Sequence, residues 1–136
     1  MGDRQMQIGE VADRTGLSLR TIRYYGEVGL ASPSARSRGG FRLYTEADVE
    51  RLLLIKRMKP LDFSLEEMAD LLGILDRLAG AAPGDQPPLQ DRLGMYEQAA
   101  QARCAALREQ LEAAEDFAAR LHRARQAAHG KEKSGK

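Results

Sequence analysis

A chain of 136 residues has room for one compact domain and an appendage but excludes two full domains, and its 5% aromatic content, lack of Trp and Ala-, Leu-, Arg- and Glu-rich second half predict a mainly α protein. The formal net charge of +1 hides a division: from Met1 to Pro60 eleven Lys/Arg stand against seven Asp/Glu, and from Leu61 to Ala100 two stand against eight, so a basic head suited to a polyanion precedes an acidic middle. No stretch has the apolar length of a signal peptide core or a membrane span, which predicts a cytoplasmic protein with no membrane partner, and the single cysteine, Cys104, excludes an intrachain disulfide framework.

The first helix is predicted from Ile8 to Thr15, with Ile8, Val11, Ala12 and Thr15 on one face and Gly16 ending it in a left-handed cap. A second follows at once, with Ser18 as N-cap, Leu17 stapling against Ile22, and Leu19 and Ile22 as its core face. Two helices joined by so few residues must cross sharply, which makes GEVADRTGLSLRTIRYY a helix-turn-helix with the second helix in the recognition position. The polar run ASPSARSRGG and the short apolar FRLY after it predict a small β-wing. Thr45 then caps a helix with Asp48 three residues on; Val49, Leu52, Leu53 and Ile55 form its buried stripe, and Pro60 marks its end. Ser64 and Glu67 form the capping box of the next helix, which buries Leu65, Met68, Leu71, Leu72 and Leu75. The winged head is placed at residues 5–76.

Residues 77–88, with Pro83, Pro87 and Pro88 among them, predict a linker, since prolines break helix interiors. A long helix is predicted over residues 89–128, followed by a disordered tail at 129–136. Leu93, Ala100, Leu107, Ala114, Leu121 and Ala128 recur every seven residues, and Cys104, Leu111 and Ala118 form a companion row. A narrow apolar seam of this kind, with no further helix in the chain to cover it, predicts a homodimer.

Ile8 to Leu75 closely resembles the MerR family of bacterial regulators: I-G-E-V-A, T-G-L-S, R-T-I-R-Y-Y, G-L, G-F-R-L-Y-T-E-A-D-V and D-F-S-L-E-E-M occur in one order and spacing. The resemblance implies a winged helix-turn-helix head with a second helix pair, then a long helix that forms an antiparallel coiled coil in a dimer. It further implies a sequence-specific transcriptional regulator that binds promoter operators in double-stranded DNA and distorts over-long spacers so that bacterial RNA polymerase can use them.

Within that frame Arg20, Thr21, Arg23 and Tyr24 are the expected DNA-contacting residues of the recognition helix, since Arg reads guanine or holds phosphate and Thr and Tyr bond phosphate or base. Arg36, Arg38 and Arg42 surround Gly39 and Gly40 on the wing and suit a phosphate backbone or a narrow minor groove. Tyr44 is expected to pack with its hydroxyl near the DNA backbone, and Arg57 and Lys59 to add phosphate contacts. Leu93, Ala100, Cys104, Leu107, Leu111, Ala114, Ala118 and Leu121 are the expected dimerisation set. Cys104 is read first as a small seam filler and second as a thiol sensor of oxidants or electrophiles; one thiol cannot build a tetrahedral or linear metal site within one chain, and a cross-subunit site with His122 or His129 is disfavoured because both lie in a basic, polar stretch, so no metal and no cofactor is expected. No catalytic constellation stands out, which predicts a non-enzyme. The alternatives are an excisionase-like architectural protein that bends DNA, against which the second helix pair and the long helix speak, and a redox sensor of the same family acting through Cys104. A ligand-sensing domain is not expected, because fewer than ten residues follow the long helix.

Overall fold

The structure is a computed structural model that describes residues 4–134. The chain folds as two compact units, one ending at Gly94 and one beginning at Met95.

In the first unit, β1 (Met6–Gln7) leads directly into α1 (Ile8–Thr15), which ends at Gly16 with φ of 73°. Only glycine takes that left-handed turn without strain, and a Cβ there would also stand 2.9 Å from Lys56 Nζ. Lys56 uses the space to donate to the Thr15 carbonyl at 2.7 Å, completing the end of α1 from a distant helix. Ser18 opens α2 (Leu19–Glu27), its hydroxyl accepting from the Thr21 amide. Both expected capping boxes are present, Thr45 with Asp48 on α3 (Glu46–Met58) and Ser64 with Glu67 on α4 (Leu65–Gly80).

The wing is β2 (Ala35–Arg36) and β3 (Arg42–Tyr44), and β3 is the middle strand of three. It pairs antiparallel with β2 on one side and with β1 on the other, in the register Met6 with Tyr44 and Gln7 with Leu43. The ladder to β1 is absent from the sequence expectation; it fastens the wing to the residue that starts α1, so wing and helix-turn-helix are joined through backbone hydrogen bonds.

The core lies where α1, α2, β3, α3 and α4 meet, with Val11, Ile22, Tyr44, Leu52, Ile55 and Ile74 essentially inaccessible. Each such side chain contributes about 1.5–3 kcal/mol by leaving water. Around it, Arg14 grips Glu46 through both carboxylate oxygens at 2.5 and 2.6 Å, and Arg51 donates to the Leu30 carbonyl at 2.8 Å and pairs with Asp76 at 3.0 Å. Arg92 pairs with Asp70.

Several boundaries and faces differ from expectation. Leu65 is the first residue of α4 and is exposed, while Ile74 farther along α4 and Met58 at the end of α3 are buried, and Leu53, Leu71 and Leu75 are only half-buried. Residues 77–88 are not one linker: α4 runs to Gly80, Pro83–Asp85 forms a 3₁₀ turn, and α5 (Gln86–Ser134) begins with Pro87 and Pro88 in its first turn. Proline is tolerated there because those amides have no helical partner to lose. The helix also continues to Ser134 where a disordered tail was expected, with residues 135–136 outside the described part. Gly130 alone costs only about 1 kcal/mol, and the positive charge of Lys131 suits the negative end of the helix dipole.

Candidate nucleic-acid interface

On α2, Ile22 and Tyr25 turn inward and leave Arg20, Arg23 and Tyr24 exposed. Leu19 was expected on the core face and is instead 40% exposed, because one helical turn carries the buried row through Ile22 and Tyr25. Thr21 is half-buried, its hydroxyl accepting from Ser18 Oγ at 2.9 Å, so it belongs to the cap as well as to the outward face. Tyr24 stands with its ring 5.8 Å from that of Tyr25, tilted by 53°.

The wing sets two of its three arginines side by side. Arg36 and Arg42 are directly opposed across the β2–β3 ladder, a like-charge pair that disfavours the hairpin in isolation. The turn is pinned by the Gly40 amide donating to the Ser37 carbonyl at 2.9 Å, and Arg36 Nη1 donates to the Gly40 carbonyl at 3.0 Å. Arg23 from α2 joins Arg36 and Arg42 around one open groove of about 270 Å³, completed by Gln7, Ile8, Gly40 and Phe41. Gln7 caps α1 without a side-chain hydrogen bond, so the amides at that helix N-terminus add partial positive charge to the same wall. Among the described residues, Arg20, Arg23, Arg36, Arg38 and Arg42 form no ion pair, whereas Arg4, Arg14, Arg51 and Arg92 each hold a carboxylate. The arginines that tie the head together are neutralised; those of α2 and the wing are not.

Tyr44 packs as expected, but its hydroxyl does not reach the outward face. It is fully buried, its hydroxyl has no hydrogen-bond partner, and burial raises its pKa against the opposing pull of the Arg42, Arg23 and Arg36 charges. Side chains of the groove, and not the phenol, face outward. Arg38 is exposed on the wing turn outside the groove, and Arg57 and Lys59 are exposed at the far end of α3 and the turn after it. Gln7, Ile8 and Phe41 line the groove and were missed by sequence reasoning. Phe41 carried a usable signal, an aromatic residue directly between two glycines and an arginine.

On α5, Leu93 is half-buried in the first unit. In the second, Ala100 and Cys104 are half-buried, Ala114 and Ala118 are exposed, and Leu107, Leu111 and Leu121 expose 44%, 59% and 53% of their surface. Phe117, also exposed, lies three residues after Ala114 and four before Leu121 and so shares their face. Cys104 is a free thiol. No group of three His, Cys, Asp or Glu among the described residues is arranged to hold a metal ion, and no described helix is long and apolar enough to cross a membrane.

Residues 6–73 match the model of the MerR HTH family of regulatory proteins. The mercuric resistance operon regulatory protein of Bacillus cereus is 45% identical over 73 residues, covering 54% of this chain and 55% of that protein. PbrR691 of Ralstonia metallidurans CH34, a transcription regulator solved in complex with lead(II), is 34% identical with a TM-score of 0.51, over 78% of this chain and 82% of its own. A MerR-family transcriptional regulator of Bacillus thuringiensis shares the fold at a TM-score of 0.68 and 18% identity, over 88% of this chain and 99% of its own. The chain spans about half the length of the curated relatives it matches.

Proposed function

This chain belongs to the MerR HTH family of regulatory proteins, and from that premise we propose that it binds a promoter operator as a homodimer and controls transcription by distorting the DNA. The observation that carries the reading is the division of the arginines. Arg23, Arg36 and Arg42 converge on one groove without a carboxylate between them. Holding like charges together costs the free protein stability, and the cost is offset when a polyanion binds across the groove. Arg20 and Arg23 project from the helix placed to enter the major groove and read base edges, while Arg36, Arg38 and Arg42 follow the backbone. Arg57 and Lys59 add phosphate contacts farther along. The dimer forms through the α5 stripe of Ala100, Cys104, Leu107, Leu111, Ala114, Ala118 and Leu121, with Leu93 extending it, in an antiparallel pair that spaces two heads for two half-sites. The partners are then double-stranded operator DNA, a second copy of the chain and bacterial RNA polymerase on the same promoter, all in the cytoplasm. The protein performs no catalysis and needs no cofactor.

Selection from a random duplex library, followed by fluorescence anisotropy over a range of salt, tests this. Arg23→Ala is expected to weaken the selected site by about 1–3 kcal/mol and to relax its sequence. Arg42→Ala is expected to weaken all duplexes and to lower the salt slope by about one. An unchanged slope removes the wing from the interface. For the distortion, shortening the promoter spacer to ordinary length is expected to make transcription independent of the protein; continued dependence counts against it.

A further inference from the structure

Phe41 exposes 64% of its surface, more than any other large apolar side chain among the described residues of the unit ending at Gly94. An exposed aromatic ring gains nothing for folding, yet the wing is built to hold it out. The Phe41 amide donates to Ser37 Oγ at 3.1 Å, its carbonyl accepts from the Ser37 amide at 2.9 Å, and Gly40 before it takes a φ of 83° that a side chain would strain. The ring lies over Gly39, where an added Cβ would come within 3.1 Å of Cε2, so this glycine leaves room for the aromatic face. The same ring lines the groove with Arg23, Arg36 and Arg42.

A groove with three guanidinium groups on its walls and an apolar ring at its rim matches one chemical unit, an anion attached to an apolar ring. A nucleotide of duplex DNA has that form, a phosphate ester on a deoxyribose whose carbon face is apolar. We propose that Phe41 is a DNA-contacting residue that packs against the deoxyribose of the nucleotide whose phosphate sits between Arg36 and Arg42, the two arginines opposed across the wing. The inference rests on the DNA-binding reading above and adds to it an apolar, salt-independent contact in the wing. Removing the ring removes buried apolar surface without removing a charge, so affinity falls by about tenfold while the salt slope stays as it was.

The chain contains no Trp, so Phe41→Trp places a single tryptophan reporter at the wing. The full-length variant is titrated with a fluorescein-labelled duplex taken from the library selection, following anisotropy of the label and emission of the tryptophan together. On saturation the emission is expected to shift to the blue and its quenching by acrylamide to fall severalfold. Phe41→Ala is expected to raise Kd about tenfold at every salt concentration with the slope of the wild type. A tryptophan that remains fully quenchable on saturated DNA, or a Kd for Phe41→Ala within twofold of wild type, overturns the proposal and leaves the ring for a protein partner. Absence of duplex binding by the wild type at low salt overturns the DNA reading itself, and the two failures are told apart by the anisotropy of the label.

Discussion

The unit ending at Gly94 and the helix from Met95 onward carry similar apolar side chains in opposite circumstances. In the first, Ile22, Leu52 and Ile55 are fully covered, because helices and a small sheet approach from different directions and each closes the face of another. In the second, Leu107, Leu111, Phe117 and Leu121 stand in water along a single helix. A row of leucines on one helix cannot cover itself; in the proposed dimer its burial depends on protein concentration. The stability of the head is instead a property of the chain.

That contrast is broken most strongly by Leu107→Glu. Each leucine leaving water contributes about 1.5–3 kcal/mol, and the substitution acts on both subunits at once, so the dimer dissociation constant is expected to rise on the order of a hundredfold or more. Sedimentation gives the answer, and a wild type that stays monomeric at all concentrations removes the dimer altogether. Leu52→Ala acts on the other side of the comparison. It is expected to cost about 2–5 kcal/mol of folding stability through the cavity it leaves. Denaturant unfolding of the head is expected to show that loss at every protein concentration, and a concentration-dependent loss would place Leu52 in an interface.

The parts legible in the sequence are those set by neighbours along the chain. Ser18, Thr45 with Asp48, Ser64 with Glu67 and Gly16 announced their helix ends because a cap involves only three or four residues. What required the fold was set by partners far away. The two residues of β1 carry no strand pattern, and only pairing with Leu43 and Tyr44 makes them a strand. Leu19 and Leu65 are apolar and helical, yet which side of a helix is buried depends on where neighbouring elements lie. Pro87 and Pro88 read as breakers because composition does not say whether a proline precedes a helix or occupies its first turn. For the site, the arginines were legible as residue types. The groove joining Arg23 to Arg36 and Arg42 depended on the wing folding back toward α2.

Tyr44 gives a smaller test within the head, where the buried position and a DNA contact predict opposite signs. Its hydroxyl is buried without a partner, so Tyr44→Phe removes a polar atom that costs about 1–3 kcal/mol to desolvate and keeps the ring that fills the core. The expected outcome is equal or higher thermal stability with unchanged affinity for DNA. Weaker DNA binding with unchanged stability would return the phenol to the interface.

The smallest expected effect belongs to Cys104. It is half-buried on α5, three residues before Leu107 and seven before Leu111, where in the proposed dimer a small side chain lets two helices approach. Serine preserves the size, and its hydroxyl can return to a carbonyl of its own helix one turn earlier, which limits the loss of apolar character to less than about 1 kcal/mol. In an antiparallel pair centred near Leu107 the two thiols lie out of register, so a direct disulfide between subunits requires the helices to slide. Cys104→Ser is therefore expected to fold, dimerise and bind DNA as the wild type does, and peroxide, zinc or copper to leave wild-type binding unchanged. Thiol titration beside anisotropy with and without peroxide measures both. A peroxide response in the wild type that disappears in the serine variant would make the seam a sensor, because oxidation adds a polar group at the subunit contact and alters the spacing of the two heads.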